Sequence, residues 1–132
     1  MNRQKAREYM MTVLFQMDVL DDFDVDEMDH YINNETIGKQ IDYCEKVYSL
    51  ACNKKEEIDS IIMDNSRNWN IKRTPKTDLA ILRLAIIEIM YLDDIPDSVS
   101  INEAVEMSKV YCEENAPSYI NGILGSVTRS KE

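Results

Sequence analysis

Ile95-Pro96-Asp97-Ser98-Val99-Ser100-Ile101-Asn102-Glu103-Ala104-Val105-Glu106-Met107-Ser108-Lys109, running on to Ser118-Tyr119-Ile120-Asn121-Gly122-Ile123-Leu124, is the part of the sequence that decides the fold. Pro96 closes a turn, and Ser100 with Glu103 three residues on has the spacing of a capping box that opens a helix. Within that helix Ala104, Met107, Ser108 and Tyr111 recur at helical steps and are expected to face inward. Asn115 reads as the cap of the next helix, with Pro117 in its first turn, where a missing N–H leaves no bond unmade. Gly122 and Gly125 each weaken that helix by about 1 kcal/mol relative to alanine. Close approach of a neighbouring helix is the expected compensation.

Upstream, the segment from Asp78 to Leu92 is apolar nearly all round, interrupted only by Arg83 and Glu88, which predicts a central helix covered on both sides, with Thr77 as its cap. Between Arg3 and Leu20, the residues Ala6, Met10, Val13, Leu14 and Met17 form one apolar stripe. Arg3 and Arg7, four residues apart, share a face near the start of that helix. Gly38 is a stop signal, after which Ile41, Cys44, Tyr48, Ala51, Ile58 and Ile62 predict one long helix, or two with a bend near Asn53 to Lys55. Residues 64 to 77 are polar and contain a proline, and they mark the boundary between two halves. Trp69 is expected to anchor this connection on the core.

The bulk composition agrees with an all-α fold in a single domain of residues 1–132, with helical subdomains over about 1–66 and 75–130. Three glycines and three prolines are few for this length, which disfavours turn-rich β folds. Cys44, Cys52 and Cys112 lack paired spacing and have only His30 for company, so they are read as reduced thiols in a helical core, with no metal site. No apolar run is long enough for a signal peptide or a membrane span, and a cytoplasmic location is expected. Enzyme signatures are missing: the glycines form no phosphate-binding loop, and a nucleophile would have to recruit His30 from the acidic segment. No catalysis and no cofactor are expected.

The net charge of -10 is unevenly distributed. Residues 18 to 37 hold eight acids and no Lys or Arg, whereas residues 67 to 83 hold Arg67, Lys72, Arg73, Lys76 and Arg83 against Asp78 alone. Salt screens charge over roughly 8 Å, so a small basic face survives on an acidic protein. Arg3, Lys5 and Arg7, with Tyr9 and Phe15 nearby, pair cations with aromatic rings as single-stranded RNA binders do, although taken alone a basic first turn is more commonly just a solvated helix end.

Three ordered motifs carry a resemblance: Asp78-x-x-x-Leu82-Arg83-x-Ala85-x-x-Glu88, Ile95-Pro96-x-x-Val99-x-Ile101-Asn102-Glu103-Ala104-Val105-Glu106, and Tyr119-Ile120-Asn121-Gly122-Ile123-Leu124. With Arg3-x-Lys5-Ala6-Arg7-Glu8 and Asn68-Trp69, the chain resembles the NusB family of transcription antitermination factors over essentially its whole length. The resemblance implies two antiparallel helical halves. It also implies that the protein and a small ribosomal subunit protein acting as NusE bind boxA RNA and join the elongating RNA polymerase with other Nus factors. By position, Arg3, Lys5 and Arg7 would hold RNA phosphates, Asn115 and Ser118 would contact RNA, and Tyr119 would stack on a base. Asp78 and Arg83 would lie on the partner surface.

The chain departs from that pattern at Gln4, where a basic residue is common, at Ala116, where a capping serine is common, and in its small basic content after Arg129. Lower positive charge predicts weak RNA binding by the subunit alone. A helical interaction module without RNA is the alternative reading. A methyltransferase carrying such a domain needs more chain than 132 residues provide.

Overall fold

The computed structural model describes residues 1–67 and 70–131, so the expectations for Asn68 and Trp69 lie outside the described residues. The elements are α1 (Arg3–Leu20), α2 (Met28–Tyr31), α3 (Asn34–Ile37), α4 (Ile41–Asn53), α5 (Lys55–Asp64), α6 (Lys76–Tyr91), α7 (Asp97–Tyr111) and α8 (Ala116–Ser130). Three 3-10 turns, Val25–Glu27, Gly38–Gln40 and Ile71–Arg73, link them, and the described residues contain no strand. The fold is all-α.

Helix α6 is the axis of the molecule, buried without a break from Asp78 to Ile89. Around it pack α1, α4, α5, α7 and α8. Each fully buried Leu or Ile on α6 contributes about 1.5–3 kcal/mol, so this helix dominates the core. Helices α1 and α6 run antiparallel, since Arg7 meets Glu88 near one end and Asp18 meets Lys76 near the other. At Lys54, with φ -118° and ψ 18°, the chain breaks between α4 and α5, which selects two helices over one. Gly38, at φ +61°, supplies the left-handed residue that ends α3.

Several helix starts differ from the sequence reading, and proline is the reason at two of them. Pro75 (φ -54°, ψ 138°) and Pro96 (φ -61°, ψ 141°) occupy the positions just before α6 and α7. Each fixes the extended entry to its helix, so Thr77 lies inside the first turn of α6 rather than capping it. Likewise Ser100 is already within α7 and its hydroxyl donates to Glu88 Oε1 at 2.8 Å instead of closing a capping box. Asn115 does precede α8, but its near-helical backbone (φ -83°, ψ -10°) leaves its side chain without a capping bond.

The glycine expectation also changes. A Cβ on Gly122 would meet nothing within 4 Å, so no neighbouring helix demands that glycine. At Gly125 the near neighbour is Arg129 Nη1, 3.3 Å away on the same helix. Tyr111 is 45% exposed rather than inward, because its ring leaves the end of α7 towards α1. Ala104, Met107 and Ser108 are buried as read.

Candidate nucleic-acid and partner interface

The first turn of α1 is fixed by Asn2, whose side chain accepts the Lys5 backbone N–H at 2.9 Å. This cap sends Lys5 into solvent, with 68% of its side chain exposed and its ammonium 3.9 Å from Glu8 Oε2. Arg3 is half-buried: its Nε donates to Gln40 Oε1 at 2.6 Å, and its guanidinium lies 4.2 Å from the centre of the Tyr43 ring. The ring face favours the cation and the amide fixes its plane. Arg3 is therefore preorganised, while Lys5 is free to move.

Arg7 lies away from the surface on which the resemblance put it. Only 6% exposed, it donates to Glu88 through Nε (2.8 Å) and Nη2 (3.1 Å). The reason is the helical repeat: Arg7 follows Ala6 on the stripe of α1 that meets α6. Glu88, 1% exposed, also accepts the Tyr43 hydroxyl at 2.5 Å and the Ser100 hydroxyl at 2.8 Å. One carboxylate thus ties together α1, α4, α6 and α7. Burial lowers the Arg7 pKa, and the hydrogen bonds and charge of Glu88 outweigh this to hold it above its ordinary value. Burial, and then the charge of Glu88, push the Tyr43 hydroxyl upward.

The corner between α7 and α8 meets α1 through Tyr111, whose hydroxyl is 3.4 Å from Glu8 Oε2. Glu8 lies one turn after Lys5, and Tyr111 lies four residues before Asn115. This contact ties the first turns of α1 to the end of α7. Asn115 and Ser118 are exposed, and Tyr119 is half-buried with its ring against the core. Glu8 thus meets both the Lys5 ammonium and the Tyr111 hydroxyl.

Asp78 and Arg83, expected on the partner surface, are each only 3% exposed. The guanidinium of Arg83 forks onto Asp59 (2.8 and 3.1 Å) and reaches Asp18 at 3.0 Å, while Lys76 meets Asp18 at 3.2 Å. This cluster fastens α1 and α5 to α6. Burial pushes the Asp78 carboxyl upward, against a hydrogen bond from the Cys112 thiol. Neither residue presents its side chain openly to a partner, although α6 begins at the surface with exposed Lys76.

Sequence reasoning missed the Glu88 cluster and the supports of Arg3. An acid and an arginine within an apolar helix were the available signal for buried pairing. Nothing in the local spacing links Gln40 or Tyr43 to Arg3, because that contact is made only by packing. No described helix is long and apolar enough to cross a membrane.

Comparison with known proteins finds relatives over nearly the whole chain. The NusB family model matches residues 4–129. Transcription antitermination protein NusB of Alkaliphilus oremlandii (strain OhILAs) is 45% identical over 126 residues, 95% of this chain and 91% of that protein. The protein of the same description from Clostridium acetobutylicum is 41% identical over 133 residues, 100% of this chain and 98% of that protein. Among solved structures, T. maritima NusB superposes with a TM-score of 0.88 at 29% identity, covering 98% of this chain and 92% of that one. A crystal structure of antitermination factors NusB and NusE in complex with dsRNA matches with a TM-score of 0.82 at 25% identity, covering 97% and 96%. With a family match over residues 4–129 and relatives more than 40% identical over nearly its full length, this chain belongs to the NusB family.

Proposed function

We propose that the protein is an antitermination subunit that binds boxA RNA together with a small ribosomal subunit protein acting as NusE. In that role it joins the elongating RNA polymerase with other Nus factors. The observation that carries this reading is near-complete coverage by NusB relatives, supported by the similar fold in a NusB–NusE–RNA complex. Arg3 and Lys5 would take phosphates, Asn115 and Ser118 would contact the RNA, and Tyr119 would stack on a base. Arg7 would serve by holding α1 in place through Glu88. Asp78 and Arg83 would act on the partner surface by shaping the start of α6 rather than by direct charge contact.

The protein would act in the cytoplasm by binding and not by catalysis, as one domain with halves of about 1–66 and 75–130. The Glu88 cluster supports that unity, since its donors come from both halves. A net charge of -10, with Glu8 beside Lys5, makes the subunit alone a weak RNA binder. Titration of labelled boxA RNA at fixed salt tests the proposal. The mixture with the ribosomal partner should bind more tightly than either protein alone, and equal binding of scrambled RNA by that mixture would sink it.

A further inference from the structure

A cleft of about 220 Å³ opens beside Arg3, where α4 faces the turn between α6 and α7. Lys39, Asp42 and Lys46 line one wall, Leu92, Asp94 and Ile95 the other, and Tyr43 the floor. Lys39, in the 3-10 turn Gly38–Gln40 that leads into α4, and Lys46 on α4 lie seven residues apart, and both are exposed. Among the described residues neither makes an ion pair, even with Asp42 between them. Arg3 uses Nε on Gln40 and one ring face on Tyr43, and its two terminal nitrogens have no hydrogen-bond partner among the described residues. A guanidinium held in this way presents a fork suited to a phosphate.

We propose that this cleft is a second ribose–phosphate subsite, which extends the RNA path from Lys5 across Arg3 onto α4. The three cations hold the phosphate, and Asp42 and Asp94 supply acceptors for a ribose 2′-hydroxyl. That hydroxyl both donates and accepts, and it distinguishes RNA from DNA. A simple anion site would gain nothing from two carboxylates. Leu92 and Ile95 provide an apolar wall for the sugar face.

This inference rests on the RNA-binding reading above, so the test separates the two. Full-length protein with its ribosomal partner is titrated with single-stranded RNA containing boxA, at several salt concentrations. Four proteins are compared: wild type, Lys5→Ala, the double variant Lys39→Ala with Lys46→Ala, and a control with Lys54→Ala and Lys109→Ala. Each lost phosphate contact on a single strand lowers the salt slope by about 0.7. The Lys39/Lys46 variant is expected to bind about fivefold or more weakly, with a slope lower by about 0.7 to 1.4, while the control stays within about twofold of wild type. A further variant, Asp42→Asn with Asp94→Asn, should narrow the difference in affinity between this RNA and a DNA oligonucleotide of the same sequence, and an unchanged difference would overturn the ribose contact.

If Lys5→Ala weakens binding and the Lys39/Lys46 variant matches wild type, the subsite is overturned and the RNA-binding reading stands. Equal losses in variant and control would overturn it too, because they would mark the general field rather than a site. If wild type binds no RNA with the partner present, both proposals fall.

Discussion

Arg7 and Glu88, 81 residues apart in sequence, form a two-bonded ion pair at 2.8 and 3.1 Å with almost no exposure to water. Both oxygens of Glu88 are fully engaged, since Tyr43 and Ser100 take the remaining acceptor sites. Removing one partner of such a pair leaves an uncompensated buried charge, at a cost of about 3–5 kcal/mol. Glu88→Ala should therefore lose that much stability in urea unfolding. A loss under about 1 kcal/mol would show that water enters and that the cluster is not dry.

The Arg83 clamp calls for geometry as well as charge. Lysine keeps the charge but cannot fork onto both oxygens of Asp59 while reaching Asp18. Arg83→Lys is expected to cost about 2–3 kcal/mol. A double-mutant cycle with Asp59→Ala should give a coupling above about 1 kcal/mol, and additive single effects would count against the clamp.

Glu8 is placed to oppose RNA, between the Lys5 ammonium and the Tyr111 hydroxyl. Glu8→Gln should tighten RNA binding by roughly twofold, and Lys5→Ala should weaken it with a salt slope lower by about 0.7. Filter-binding at three salt concentrations decides this. Tightening by Lys5→Ala, or weakening by Glu8→Gln with the fold intact, would reverse the assignment.

At Gly122 the helix has an exposed position with open space where a side chain would go. Gly122→Ala should raise stability by about 0.5–1 kcal/mol, because alanine loses less backbone freedom on folding. Calorimetry on the free protein gives the answer. A lower melting temperature would mean that something packs against this glycine after all.

Alkaline pH should weaken the fold. Burial pushes the thiols of Cys44 and Cys52 up to about 11, and burial with the neighbouring Asp78 carboxylate pushes Cys112 up to about 12. In the unfolded chain these thiols ionise near 9, so above that pH the unfolded state holds fewer protons than the folded one. Stability is thus fully present below about pH 9 and declines as pH rises towards 11. Denaturant midpoints across this range check the sign, and Cys44→Ala should flatten the decline. A midpoint that rose with pH would contradict the burial of these groups.

What could be read from the sequence was whatever depends on local order. The apolar run around Arg83 and Glu88 announced the central helix, and the polar residues 64 to 77 announced the connection before it. Helix starts were misread at Ser100 and Thr77 because Pro75 and Pro96 fix the backbone a few residues earlier. Lys5 was legible as an exposed cation, yet Arg7 was not legible as a buried one. They stand two positions apart, and only the direction of the α1 stripe relative to α6 assigns one to water and the other to Glu88. Nothing in the local sequence singles out Lys39 and Lys46, because only packing sets them beside Arg3.

The order in which the Glu88 cluster receives its parts matters during synthesis. Chains grow at about 5–20 residues per second, so Arg7 is made roughly 4–16 s before Glu88, the carboxylate that pairs with it. Through that interval its guanidinium has no permanent anion, and the nascent first helix presents Arg7 to water alongside Arg3 and Lys5. The N-terminal segment is therefore more cationic at birth than in the finished protein, and its charge is settled only when α6 arrives with Glu88.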